Sequence, residues 1–188
     1  VVEFTSIMYP EGRININQLG AYSDDLIPTL RHLCDEIHDA GSKVAFQIGH
    51  GGKRATRDIT GSVPKSSWNI PIRGAKPDFP DGEEPHILNH KEISSIVDAF
   101  GEAAFRLKSA GADAIEIHGA HGFLLLEFLS PYSNNREDEY GGDAKRRAKF
   151  PCEVVEKVRK KVGENFPIIY RISAEEGVDG GVSTDDVR

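Results

Sequence analysis

Two imidazoles, His118 and His121, stand three residues apart in EIHGAHGFLLLEFLSPYSNNREDEYGG, residues 116–142, where a short apolar run gives way to a polar loop. A histidine pair so placed has three chemistries open to it. It can form half of a zinc site, donate two hydrogen bonds to an oxygen that gains negative charge, or be a pair of satisfied polar residues. The spacing alone does not choose among them. A metal would need a third ligand and partners that orient the rings, neither of which the sequence proposes, so no metal ligand is expected. Gln47, His50 and Arg171 occupy the same kind of position as His118, at or just beyond the carboxyl end of an apolar run.

The elements that must hold these residues alternate between strand and helix. Val1 to Ser6, Lys43 to Ile48, Ala112 to Ile117 and Pro167 to Ile172 are short, apolar and rich in β-branched or aromatic side chains, as buried parallel strands are. Between the first two, Ser23-Asp24-Asp25 supplies an N-cap with acidic residues in the first turn. Leu26, Ile27, Leu30, Leu33, Cys34 and Ile37 then recur at helical spacing up to Gly41. Asn89 with Glu92 forms a capping-box pattern before the stripe Ile93, Ile96, Val97, Phe100, Ala104 and Leu107, which closes on Gly111. A third helical region, Ala144 to Val162, should break or kink at Pro151 and end at Gly163.

Strands separated by helices pair in parallel through right-handed crossovers, which leaves a doubly wound sheet or a (β/α) barrel. No GxGxxG follows any strand. The polar candidates gather at the carboxyl ends of the strands, where barrels of the TIM type place their chemistry, so the reading is α/β, a (β/α)8 TIM barrel represented by about four β/α units. Residues 1–188 form one partial barrel on this reading, with the first strand and the last strands of a complete barrel absent. The connection from Ala55 to His90 is rich in Pro and Gly, has no periodicity, and reads as a lid or binding loop.

Composition excludes several function classes. With 188 residues, 38% hydrophobic and 28% charged, the chain is ordinary for a globular domain, and no apolar run approaches the ~20 residues that span a bilayer. The N-terminus lacks a basic n-region and an initiator Met and reads as an interior cut or processed end, so a cytoplasmic origin is expected. A net charge of −7 argues against a nucleic-acid surface. Cys34 and Cys152, far apart and both in helical patterns, are expected to be small core residues.

The central stretch, together with Val2-Glu3-Phe4-Thr5, Pro10-Glu11-Gly12-Arg13, Gln47-Ile48-Gly49-His50-Gly51-Gly52 and Tyr170-Arg171-Ile172-Ser173, closely resembles the old yellow enzyme family of FMN-dependent NADH:flavin oxidoreductases. The resemblance implies FMN as cofactor, NAD(P)H as hydride donor and an electron-poor alkene or similar small molecule as acceptor. It implies that His118 and His121 are the catalytic donors to the acceptor's carbonyl oxygen. Gln47 would meet the polar edge of the flavin pyrimidine ring, Arg171 would lie near flavin N1 and O2, and the segment at Phe4 would approach the ring through its backbone. Phe123 would contact substrate. Arg136 and Asp138 would pin the loop after the third strand, with Gly141-Gly142 turning the chain.

The sequence departs from that pattern in a few places. Many relatives carry Tyr at the position of Phe123 and use its phenol as proton donor, which Phe cannot be. Lys53 stands where many have Arg, and Arg146 where Asn is common. The loops that hold the FMN phosphate in the family are not found here, so FMN binding by this chain alone is not expected. An exposed half barrel would also associate, so a homo-oligomer is expected, with no nucleic-acid or membrane partner. The rival readings are another flavin TIM barrel, dihydrouridine synthase-like, and a catalytically inert barrel fragment.

Overall fold

A computed structural model of the chain describes residues 1–69 and 84–188. The elements, in chain order, are β1 (Val2–Ser6), a 3-10 turn (Asp24–Leu26), α1 (Ile27–Asp39), β2 (Ala45–Gly49), a 3-10 turn (Gly52–Arg54) and α2 (Arg57–Thr60). There follow β3 (Lys65–Ser66), β4 (His86–Ile87), α3 (His90–Ala110), β5 (Ala114–Gly119), α4 (Leu124–Leu129), α5 (Ala144–Arg147), α6 (Lys149–Val162) and β6 (Ile168–Ile172). Strands β1, β2, β5 and β6 form one parallel sheet in that order, and α1, α3 and α6 connect them. This is the open, partial barrel that the alternation predicts.

The capping signals act as read. Ser23 accepts from the Asp25 N–H, and Asn89 and Glu92 complete a reciprocal box at the start of α3. At the end of α3 Gly111 takes φ 108°, in the left-handed region that favours glycine, and the Ala112 N–H donates to the Leu107 carbonyl. That bond explains why β5 begins at Ala114, two residues later than its apolar run: Ala112 completes the helix. The start of β2 shifts for a related reason, because the Val44 N–H donates to the Asp113 carboxylate.

Three other expectations change. The break between α5 and α6 falls at Ala148, and Pro151 lies in the first turn of α6, where its missing N–H has no helical acceptor in any case. Cys34 is buried but Cys152 is exposed. The buried stripe of α6 is Phe150, Pro151, Val154, Val158 and Val162, and Cys152 lies off it, on an apolar groove with Leu129, Val155, Tyr170 and Ile172. The long connection contains α2 and the two-residue pair β3–β4; its segment 70–83 lies outside the described residues.

The core is continuous between the sheet and its three long helices. Phe46 and Ile48 from β2 and Ile115 and Ile117 from β5 pack against Leu30 and Cys34 of α1, the stripe of α3, and Phe150, Val154 and Val158 of α6. A Cβ on Gly101 of α3 would lie 2.6 Å from Lys157 Cγ, so glycine there lets α3 and α6 approach closely. At the β6 side the cover ends: Ile169 and Ile172 are 43% and 41% exposed.

Candidate active site

Strand alternation decides which side chains reach the other face of the sheet. With Phe46, Ile48, Ile115 and Ile117 in the helix-side core, Gln47, Glu116 and His118 are left for the inner face. Register then places them, since Gln47 lies opposite Glu116 and His118 opposite Arg171.

His118 lies within β5 and is 3% exposed. Its Nδ1 accepts from the Ala120 N–H at 3.3 Å, so in the neutral ring the proton sits on Nε2. Burial first, then His121 and Arg171, lower its pKa to about 4, and the ring is neutral at physiological pH. Among the described residues nothing accepts from its Nε2–H, which remains a free donor. His121 follows on the loop, exposed, with φ 59°, and its N–H donates to Ser173 Oγ at 3.2 Å. The two rings are 5.0 Å apart and nearly perpendicular at 87°. The expected pair is therefore assembled.

An apolar wall adjoins it. Phe123 lies 4.8 Å from the His118 ring and 4.9 Å from Phe4, and Phe4 lies 5.7 Å from His118. The Phe4 ring fills the space above Gly49, where a Cβ would come within 2.5 Å of it. The Phe4 carbonyl accepts from Gln18 Nε2 at 2.7 Å, so its side chain, more than its backbone oxygen, faces the site.

Gln47 donates one amide hydrogen to Glu116 Oε1 at 2.5 Å, which fixes the amide plane and leaves one N–H and Oε1 without a partner among the described residues. Arg171 is exposed and makes no ion pair among those residues. One remaining amide donor, one amide acceptor, a guanidinium and a neutral imidazole N–H fit the polar edge of a flavin ring, which asks for a donor and acceptor side by side and a cation where charge develops on reduction. Among the described residues no group of three or more His, Cys, Asp or Glu is arranged for a metal.

A cavity of about 620 Å³ opens beside this face. It is lined by His121 and Phe123 from the expected set, and by Arg54, Glu127, Tyr132 and Ser173. Gln47, Phe4, His118 and Arg171 lie along the sheet instead of in that cavity. Arg136 and Asp138 do pin the loop: the guanidinium bonds both Asp138 oxygens and the carbonyls of Ser67 and Leu88. Arg146 donates to the Asp138 carbonyl at 2.6 Å and does not disturb this arrangement.

Two residues of the site were not singled out from sequence. Glu116 shows its importance only through register. Glu127, on α4, is 1% exposed; it accepts from the Lys53 N–H and from Ser66 Oγ, both at 2.8 Å, and burial pushes its carboxyl up to about 7 against the pull of Lys53.

Residues 1–187 match the NADH:flavin oxidoreductase / NADH oxidase family. The chain is 37% identical over 182 residues to an NADH oxidase of Thermoanaerobacter brockii, covering 96% of this chain and 27% of that protein. It superposes on the old yellow enzyme homologue of Zymomonas mobilis with a TM-score of 0.88 at 27% identity, over 98% of this chain and 52% of that one. It superposes on morphinone reductase in complex with tetrahydroNAD with a TM-score of 0.87 at 28% identity, over 98% and 53%. The chain thus spans about half the length of these solved relatives and about a quarter of the longer oxidase. The imidazole pair, the sheet that carries it and these likenesses agree, and the chain belongs to the NADH:flavin oxidoreductase / NADH oxidase family.

Proposed function

We propose that the protein is an FMN-dependent oxidoreductase that passes hydride from NAD(P)H, by way of the flavin, to an electron-poor alkene or similar acceptor. The observation that carries this reading is His118, a buried neutral imidazole whose Nε2–H meets no acceptor among the described residues and whose neighbour is His121. Two such donors stabilise the oxygen of an α,β-unsaturated carbonyl as hydride reaches its β-carbon. Gln47 would hold the polar edge of FMN with its remaining N–H and Oε1, and Arg171 would balance the negative charge of the reduced ring. Bound FMN would supply a two-electron carrier between nicotinamide and acceptor. Phe4 and Phe123 would shield the His118 ring from water. Membership of the family and the likeness to morphinone reductase, solved with tetrahydroNAD, support the same reading.

The test is anaerobic and uses the full-length protein. NADH or NADPH should bleach the flavin, cyclohexenone should restore its colour, and a phenol should perturb the flavin spectrum in wild type but not in a His118→Ala/His121→Ala variant. A flavin reduced by NAD(P)H but unreactive with every enone and nitroalkene tried would rule out the acceptor class.

A further inference from the structure

Reduction of an alkene by hydride is incomplete without a proton, and the ring nearest the imidazoles cannot give one, since Phe123 has no hydroxyl. His118 keeps its Nε2 proton for the acceptor oxygen. Of the other groups in the adjoining cavity, Glu127 differs in being a carboxyl held entirely inside the protein.

Its setting is built. Gly52, at φ 59°, lies so close that a Cβ there would collide with the Glu127 carboxyl, so the backbone at 52 and 53 closes over it. Its Oε1 and Oε2 each accept one hydrogen bond, from the Lys53 N–H and Ser66 Oγ, and no cationic side chain forms an ion pair with it among the described residues. Burial raises its pKa to about 7, so it is partly protonated in neutral solution. The charged and titratable groups facing it are few. Lys53 opposes the rise; Arg54, His121, Glu175 and Glu176 stand around the cavity; on the β3 side, Lys65 is turned to Glu11 at 2.6 Å and His50 is held neutral by burial. The same cavity touches Glu127, Phe123 and His121, so water entering it would link Glu127 to the place where the acceptor is activated.

We propose that Glu127 holds the proton that completes the reduction, delivering it through cavity water to the carbon beside the one that takes hydride. The inference rests on the acceptor reading above. Hydride forms the C–H bond at the β-carbon, and the π pair moves onto the oxygen held by His118 and His121. That pair then returns to form the C–H bond at the α-carbon with a proton from water, which Glu127 replaces from its carboxyl group. The carboxylate recovers a proton from bulk solvent before the next turnover. Glu127 acts through water and is a proton-holding group, distinct from the imidazoles that touch the acceptor.

Glu127→Gln tests this, because the amide can still accept from Lys53 and bond Ser66 but cannot titrate. In the full-length flavoenzyme, reoxidation of reduced FMN by cyclohexenone should fall with rising pH through about 7 in wild type. The variant should hold its FMN, reoxidise at least ~10²-fold more slowly at pH 6, the lower end of the range for general acids, and show no such pH limb. Tyr132→Phe, which removes the cavity's phenol, should keep the limb. Infrared difference spectra should show a carboxylic C=O stretch that is lost through the same pH range in wild type and absent from Glu127→Gln. A variant that matches wild type within two-fold at every pH, or a limb that disappears in Tyr132→Phe, overturns the proton role alone. A wild type that NADH reduces and no enone reoxidises overturns the acceptor reading and the proton role with it.

Discussion

The two ends of the same strands treat their polar groups in opposite ways. At the amino end Asp113, just before β5, accepts from the Val44 N–H at 2.9 Å, from His38 Nε2 at 2.8 Å and from Lys43 Nζ at 3.0 Å. Those partners, the Val44 N–H foremost, hold its carboxyl well below the usual carboxylate range. Each of these groups finds its partner within the fold, and the cluster ties α1 to the starts of β2 and β5. At the carboxyl end His118, Gln47 and Arg171 are equally well placed but keep donors and acceptors unpaired among the described residues. Groups matched internally serve stability, whereas groups positioned and left unmatched are available to a ligand, which is how barrels separate the two faces.

The sharpest way to break this contrast is to delete the unmatched donors. In the full-length enzyme, His118→Ala/His121→Ala should slow alkene reduction by at least ~10²-fold, since one such donor is typically worth about 3 kcal/mol of barrier. FMN content and unfolding midpoint should change little, as neither ring bridges elements through a strong hydrogen bond. Loss of a stoichiometric metal in that variant would show that the pair was a metal site.

Asp113→Ala is the converse. It leaves the Val44 N–H, His38 and Lys43 without their shared acceptor and should cost about 1–3 kcal/mol in urea unfolding, with turnover per flavin unchanged. The sign of its pH dependence follows from a depressed pKa: the carboxylate stabilises the fold above its unfolded value, near 4, and this is lost as pH falls below it. The difference between wild type and variant should therefore shrink in acid. A variant with normal stability but impaired turnover would mean that the two ends are not separate in role.

Much of this was legible in the sequence because it is local. Helix caps such as Asn89 with Glu92, the terminal Gly111, and the apolar runs each announce themselves within a few residues. So do the imidazole pair, Gln47 and Arg171, which stand at the ends of those runs. What was hidden depends on residues distant in the chain. The Gln47–Glu116 bond needs strand register, and Glu127 is enclosed by partners far off in the chain, Lys53 and Ser66, 74 and 61 positions away. Helix α4 escaped for another reason. Its six residues, LLLEFL, are all buried, so it has no polar face and no period to reveal it, and one of the six is Glu127. Cys152 misled because a cysteine in a helical pattern reads as core, whereas the groove it borders lies at the open side of the sheet.

The smallest effect is the most specific, because it sets three buried groups against one another. Burial lowers His50 to about 3 and His118 to about 4, so the unfolded chain takes up their protons first, and each destabilises the fold as pH falls below its unfolded value near 6.5. Glu127 works in the other sense. Raised to about 7, it takes up its proton in the folded state first, so it stabilises the fold as pH falls from about 7 toward its unfolded value near 4.5. Between pH 7.5 and 6 each of the three contributes on the order of 1 kcal/mol by this linkage, two in one direction and one in the other, so Glu127 offsets about half of the loss from the two imidazoles. Glu127→Gln removes the compensating member. Its unfolding free energy should therefore drop by about 1 kcal/mol more than that of wild type over the same interval, and a variant that follows the wild-type curve would show that Glu127 is ionised in the folded protein.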